Sequence, residues 1–325
     1  MQGGTHGAAS SPVVTITLNP SIDRTITVSE LTIGQITRAQ STTLDPGGKG
    51  VNVSRAVNAF GGATHAILVC GELGASWMDK QLSGLSIAHT IIPSDGAVRS
   101  NMTIVSAGGV VTKINEPGVA LTASELNAVQ EAITSQVSSG SWVVLAGRSN
   151  PGLALDTYRD LATLARKSGA RVAVDTSGDE LKAALTAGVV DLIKPNQFEL
   201  AELVGRPLAT VHDIIDAARE VISGGVQTVL CSLGADGALL ITAQTVTHCE
   251  PAHAVSGTPV GAGDILLGIF LAAGADEAAL ETAVAWSAAS VPLPGTSIPT
   301  SAQAAAMPVK INSSINQTRT LVETH

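Results

Sequence analysis

Three observations predict an α/β protein with three layers, α/β/α, around a mostly parallel sheet, plus a small β-sheet outside it. Short β-branched runs alternate with amphipathic stretches along most of the chain, and the strand-like runs are apolar throughout, as in sheets covered on both faces. Two Thr/Val/Ile-rich segments break that rhythm. The chain has 325 residues and is 45% hydrophobic, with positive mean hydropathy, which is enough material for a large buried core.

The opening MQGGTHGAASS is small and polar, without the charged and then apolar start of a signal peptide, and residues 1–12 are expected to form a disordered tail. The runs VVTITL (13–18), WVVLA (142–146), RVAVD (171–175), DLIKP (191–195) and TVLCSLG (228–234) read as buried strands. In VNVSRAVNAF (51–60), Val53, Ala56, Val57 and Phe60 recur at helical spacing, and Gly61-Gly62 supplies the stop. Further helices are expected at TASELNAVQEAI, where Thr122 and Glu125 form a capping box, at LDTYRDLATLARKSG and at TVHDIIDAAREVISGG. The segments 24–44 and 100–115 alternate as strands do, with a hairpin expected at Gly108-Gly109. They read as one lid assembled from two insertions into a single domain over 13–300, followed by a final helix and a loose tail over 301–325.

Net charge is −9 with acidic and basic residues interspersed, so no basic stripe is available for a nucleic acid or an anionic membrane. Small-molecule partners are favoured. Cys70, Cys231 and Cys249 are an odd number at wide spacing without a CxxC pair, which argues against a disulfide framework or a zinc site and for a reducing cytoplasm. No apolar run is long enough to span a bilayer.

Three glycine-marked or capped turns carry candidate chemistry. In PVGAGDILLGIF (259–270) a glycine-rich turn opens an all-apolar helix, and the unpaired N–H groups and helix dipole at such a terminus can hold an anion beside Asp264. A plain N-cap at Asp264 explains the same letters. In DPGGKGVN (45–52) Lys49 lies within a second glycine turn before a helix, but Thr43 and Gly50 stand where a Walker A loop needs glycine and Ser/Thr, and Val53 replaces the third glycine of a dinucleotide fingerprint. A tight turn with a solvated lysine is the alternative there. In KPNQFEL (194–200) Asn196 and Glu199 lie one helical turn apart, a spacing that suits either a hydrated Mg²⁺ or a simple capping box.

NPSID (19–23), GGKGVN (47–52), VRSN (98–101), DTSG (175–178), KPNQFEL, SLGADGA (232–238) and VGAGD (260–264) occur in an order that resembles the PfkB, ribokinase-like carbohydrate kinases. The resemblance covers roughly residues 13–300, and NPSID with VRSN points to the phosphosugar kinase branch. It implies ATP and Mg²⁺, Asp264 as the base, and the N–H groups of Gly261, Ala262, Gly263 and Asp264 as an anion hole. It further implies sugar contacts by Asp23, Gly48, Asn52 and Asn101, and a grip on the sugar's phosphate by Lys49 and Arg99, with Arg38 as a further candidate. Lys194, Asn196, Glu199, Ser232, Gly234 and Gly237 then line the nucleotide side, with Asn196 and Glu199 near Mg²⁺ through water.

The resemblance leads to the expectation of an ATP-dependent kinase acting on fructose 1-phosphate. Tagatose 6-phosphate kinase and a catalytically weak phosphosugar-binding protein are the alternatives. Three departures bear on the latter: Arg148 in AGRSNPG (146–152), Pro259 before VGAGD and Ile265 after the aspartate. The exposed face of the lid is a candidate homodimer surface.

Overall fold

The computed structural model describes residues 11–107, 110–312 and 315–321. The chain begins with β1 (Val13–Thr17), β2 (Ser21–Thr27), β3 (Ser41–Gly47), α1 (Lys49–Phe60), β4 (Thr64–Gly71), α2 (Glu72–Gly84), β5 (Ala88–Ala97), β6 (Arg99–Val105) and β7 (Val111–Asn115). It continues through α3 (Ala123–Gln136), β8 (Trp142–Ala146), α4 (Thr157–Lys167), β9 (Arg171–Asp175), α5 (Gly178–Leu185), β10 (Leu192–Ile193), α6 (Gln197–Val204), α7 (Val211–Ser223) and β11 (Thr228–Ser232). The remaining elements are β12 (Ala238–Thr242), β13 (Val246–Pro251), α8 (Ala262–Ala272), α9 (Glu277–Ser290), α10 (Ser301–Ala305) and β14 (Val309–Asn312).

Ten strands form one sheet in the order β14-β13-β12-β11-β10-β9-β8-β1-β4-β5. From β5 to β11 every pairing is parallel, and β11 to β14 are antiparallel. Every residue of β1 and of β8 is buried, because helices cover both faces; the polar Thr15 among them is hydrogen-bonded to Ser54. One apolar cluster joins α3, α4 and α7 to one face, and a second joins α1, α8 and α9 to the other. The three-layer α/β/α architecture expected from the sequence is therefore present.

The two rhythm-breaking segments meet in a second sheet of four strands, β3-β2-β6-β7. β2 pairs with β3 antiparallel and with β6 parallel along seven residue pairs, Ser21↔Arg99 to Thr27↔Val105. β6 and β7 pair antiparallel. Gly108 and Gly109 lie outside the described residues, as do residues 1–10 of the expected tail and residues 322–325.

One expectation is corrected at the C-terminus. Instead of a helix followed by a loose tail, α10 is followed by β14, which adds an antiparallel edge strand beside β13 from His248↔Asn312 to Pro251↔Val309. The VKIN run alternates apolar and polar residues over only four positions, too short a signal to specify a strand by itself, and the unpaired edge of β13 gives it its partner.

Candidate active site

Parallel strands bring their C-terminal ends to one edge of a sheet, and the loops that follow them build the sites of such folds. β1, β8, β9, β10 and β11 are neighbours here, so Asn19, Gly147, Asp175, Lys194 and Ser232 leave the sheet along one edge. α8 starts at that edge, behind Gly261 (φ +77).

Asp264 lies in the first turn of α8, only 7% exposed. Asn52 Nδ2 donates to its Oδ2 at 2.9 Å. Burial, and then the neighbouring Asp175 charge, push its carboxyl up to about 6, against the pull of Lys49, Asn52 and Lys194. The turn leaves fewer free donors than expected: Ala262 N–H donates to the Pro259 carbonyl at 3.2 Å and Asp264 N–H to the Gly261 carbonyl at 3.0 Å. The N–H groups of Gly261 and Gly263 make no hydrogen bond among the described residues.

Lys194 is 4% exposed, and a Cβ added at Gly263 would stand 3.1 Å from its Nζ, so the ammonium abuts the opening of α8. Asp175, fully buried, holds two lysines: Lys49 Nζ lies 2.9 Å from Oδ1 and Lys194 Nζ 3.4 Å from Oδ2. Burial opposes ionisation of both Lys49 and Asp175, but the mutual attraction outweighs it, holding the lysine above and the aspartate below its ordinary value. Lys49 also has Glu199 Oε1 at 3.7 Å. The structure thus sets Lys49 between two carboxylates rather than leaving it as a solvated turn residue.

Asn196 and Glu199 form the capping box of α6, with Glu199 N–H donating to Asn196 Oδ1 and Asn196 N–H to Glu199 Oε2, each at 2.9 Å. Asn196 Oδ1 is therefore committed to the helix, and Glu199 Oε1 is the oxygen that faces the site. No group of three or more His, Cys, Asp or Glu is gathered into a metal cluster among the described residues. A hydrated Mg²⁺, which keeps most of its waters and needs only one or two carboxylates, fits Glu199 but not Asn196 as an oxygen donor. Ser232 N–H donates to the Pro195 carbonyl at 3.0 Å, so the KPNQFEL and SLGADGA stretches lie side by side, with Gly234 and Gly237 in the turn after β11.

On the other flank, Asp23 Oδ1 accepts from Ser21 Oγ at 2.7 Å and from Asn101 Nδ2 at 3.1 Å. Its carboxyl is raised, chiefly by burial. A side chain at Gly47 would place its Cβ 2.3 Å from Asp23 Cγ, so glycine there is what lets the GGKG turn approach. Gly48 is the N-cap of α1. Arg99 departs from the expected open fork: Nε and Nη2 donate to the Asn19 carbonyl at 3.2 and 3.1 Å, and Nη1 to Asn101 Oδ1 and the Glu116 carbonyl at 3.1 Å. Those four contacts leave one N–H. Arg38 is exposed on the loop between β2 and β3, and Arg148 is exposed after β8; no hydrogen bond or ion pair ties either to the cluster.

Two residues were not singled out from the sequence. Asp175 stands where RVAVD (171–175) runs into DTSG (175–178), and its signal is a charge at the C-terminal end of a strand whose interior is apolar. Arg55, 8% exposed, reaches Asn52 Oδ1 at 3.2 Å and Thr296 Oγ1 at 3.1 Å. With Oδ1 taken by a guanidinium, the Asn52 amide must turn its Nδ2 toward Asp264.

The family model for pfkB family carbohydrate kinases matches residues 11–302, and the chain belongs to that family. It is 37% identical over 261 residues to 1-phosphofructokinase of Rhodobacter capsulatus, covering 78% of this chain and 81% of the relative. It is 34% identical over 275 residues to ATP-dependent 6-phosphofructokinase isozyme 2 of Escherichia coli strain K12, covering 84% and 88%. The crystal structure of phosphofructokinase-2 from Escherichia coli in complex with potassium superposes with a TM-score of 0.85 at 30% identity, covering 91% of this chain and 97% of that one. Among the described residues, no helix is long and apolar enough to cross a membrane.

Proposed function

We propose that the protein transfers the γ-phosphoryl group of ATP to fructose 1-phosphate, giving fructose 1,6-bisphosphate and ADP. The observation that carries this reading is Asp264, a dry carboxylate pushed up to about 6 at the mouth of a buried helix, beside two free N–H groups and the Lys194 ammonium. Asp264 takes the proton of the acceptor hydroxyl as its oxygen attacks phosphorus and the bond to ADP breaks. The Gly261 and Gly263 N–H groups and Lys194 stabilise the charge on the transferring phosphoryl. A cation beside a helix N-terminus is the reverse of what the dipole prefers, so Lys194 is at ease there only with anions between, Asp175 at rest and the phosphoryl group in the reaction. Lys49, expected on the sugar's own phosphate, is instead assigned to the same field, because it shares Asp175 with Lys194. Mg²⁺ bound with the nucleotide neutralises phosphate charge, and Glu199 Oε1 is the oxygen that would reach it through water.

Asp23, Asn52 and Asn101 converge as sugar-hydroxyl contacts, with Gly48 shaping the turn beside them. Ser232, Gly234 and Gly237 line the nucleotide side, where Asn196 serves as the helix cap. The four-stranded sheet would close over bound sugar and exclude water from the phosphoryl group.

Substrate choice is supported by the relatives named 1-phosphofructokinase, at 31–37% identity among four bacterial examples. The similarity to 6-phosphofructokinase isozyme 2 favours fructose 6-phosphate as the second reading, ahead of tagatose 6-phosphate. An ADP-coupled assay on all three sugars tests the order: fructose 1-phosphate should give the highest kcat/KM. A higher value for either 6-phosphate replaces the substrate assignment, and sugar binding without any turnover favours a binding protein.

Arg99 now counts as a phosphate contact through its charge and its one remaining N–H. A charge-assisted hydrogen bond of about 1.5–3 kcal/mol makes the expected cost of Arg99→Ala about 10- to 100-fold in kcat/KM for fructose 1-phosphate, with the KM for ATP unchanged. An equal fractional loss on unphosphorylated fructose would instead assign Arg99 to the framework that ties Asn19, Asn101 and Glu116.

The four-stranded sheet also leaves Leu44 and Ile114 exposed at 41% and 48%, in line on one face through the Leu44↔Arg24, Arg24↔Met102 and Met102↔Ile114 pairs. An apolar face of this kind marks an interaction surface, and a second copy of the chain is its proposed occupant. Light scattering should report a dimer; a monomer at every concentration removes the idea.

A further inference from the structure

Residues past 302 lie beyond the family match, yet they are fastened to the fold. Val211 N–H donates to the Arg319 carbonyl at 3.1 Å, His212 N–H to the Gln317 carbonyl at 2.9 Å, and Leu321 N–H to the Ala209 carbonyl at 3.1 Å. Leu321 is 5% exposed and belongs to the apolar cluster that contains Leu208 and Val211. The strap is thus welded to the start of α7, and it sends one long side chain inward. Arg319 Nη2 pairs with Asp236 Oδ1, and Nη1 lies 2.5 Å from Glu250 Oε2.

Asp236 ends the short 3-10 turn Gly234–Asp236 between β11 and β12, within the SLGADGA stretch. That turn is held from three directions. Gly237 has φ +80, and a Cβ there would stand 2.1 Å from the Cys249 carbonyl oxygen, so the backbone is pressed onto β13. His248 Nδ1 faces the Asn312 amide Nδ2 at 2.8 Å, which makes Nδ1 the acceptor, so Nε2 carries the proton and donates to the Asp236 carbonyl at 2.8 Å. Arg319 takes the Asp236 carboxylate. The Asp236 and Glu250 side chains are 8% and 10% exposed, and carboxylates this dry need a paired cation. Lys310, at 2.9 Å, also serves Glu250.

We propose that Arg319 is a positioning residue for the nucleotide, holding the Gly234–Asp236 turn in its receptive shape through the Asp236 carboxylate. The inference rests on the reading in which Ser232, Gly234 and Gly237 line ATP. It differs from a general stabilising role in one respect: the strap touches the nucleotide turn and not the sugar flank, so loss of the guanidinium acts on one substrate only.

The test compares full-length Arg319→Ala and Arg319→Lys with the parent in steady-state kinetics and in calorimetric binding of a non-hydrolysable ATP analogue. Arg319→Ala is expected to raise the KM for ATP and the Kd of the analogue by about 10-fold, the effect of one charge-assisted contact. The KM for sugar should move by less than about 2-fold. Arg319→Lys should stay within about 3-fold of the parent, because an ammonium still reaches one carboxylate. Should Arg319→Ala fail to fold, Arg319→Gln removes the charge while keeping length and hydrogen bonding, and the same split is read from it. Parallel rises in both KM values, or an unchanged KM for ATP, overturn the inference. A parent enzyme without ATP-dependent turnover would overturn the functional reading instead, and the binding of the analogue would still report on Arg319.

Discussion

Asp264→Asn is expected to lower kcat for fructose 1-phosphate by about 10²–10⁴-fold, the usual range for loss of a general base. The two side chains have the same shape, and the replacement amide can still accept from Asn52 Nδ2 by offering its own Oδ1, the Asn52 amide being held by Arg55. The fold and the binding of ATP should therefore persist, and the loss should fall on kcat rather than on KM. The parent supplies an internal check. Its Asp264 carboxyl is pushed up to about 6, and a base works only when unprotonated, so kcat/KM should fall as the pH drops through that value and level off above it. The variant has no such group, and its residual rate should lack that acidic limb. Nearly normal turnover in Asp264→Asn would leave the residue as no more than part of a helix cap.

The parts of this site that were legible in the sequence are those built from neighbours in the chain. GAGD before an all-apolar run specifies a buried helix with an anion-receptive start, because the glycines and the aspartate act within one turn of each other. Asn196 and Glu199 were legible as a pair one turn apart, and the structure realises the capping box. Long-range partners were not legible. Asp175 and Lys49 are 126 residues apart, and only the register of β9 beside β8 and β1 brings them together. The letters VRSN identified Arg99 as a cation without revealing that the Asn19 carbonyl, 80 residues away, would occupy two of its donors. The same limit applies to fold. Strands in the parallel core announce themselves by continuous apolar runs. β14 lacks any such run and forms beside the edge that β13 offers, while Arg319 finds its partners 83 and 69 residues away.

Asp175→Asn is expected to produce two effects of opposite kind, a large loss of stability and a shift of the catalytic pH profile toward acid. Asp175 has no exposed surface, and its Oδ2 makes no hydrogen bond of its own, relying on the Lys194 ammonium at 3.4 Å. Removing one partner of a buried pair while the other stays charged costs about 3–5 kcal/mol, a large fraction of the roughly 5–15 kcal/mol that holds a domain together. Denaturant unfolding should show it directly. Burial alone would raise the Asp175 pKa, but Lys194 and then Lys49 hold it below the ordinary 3.8. Its stabilising contribution is therefore fully present above that value and disappears as the pH falls through the lower folded value, so the stability gap between parent and variant should narrow in acid. The catalytic effect runs through Asp264. After burial, the Asp175 charge is the next cause that raises the Asp264 carboxyl; without it, only burial opposes Lys49 and Lys194. Its pKa must then fall, and the acidic limb of kcat/KM should move below about 6, whatever happens to the maximal rate. An acidic limb that stays in place or moves up would show that Asp175 and Asp264 do not share one electrostatic site, and the assignment of Lys49 and Lys194 to the phosphoryl position would fall with it.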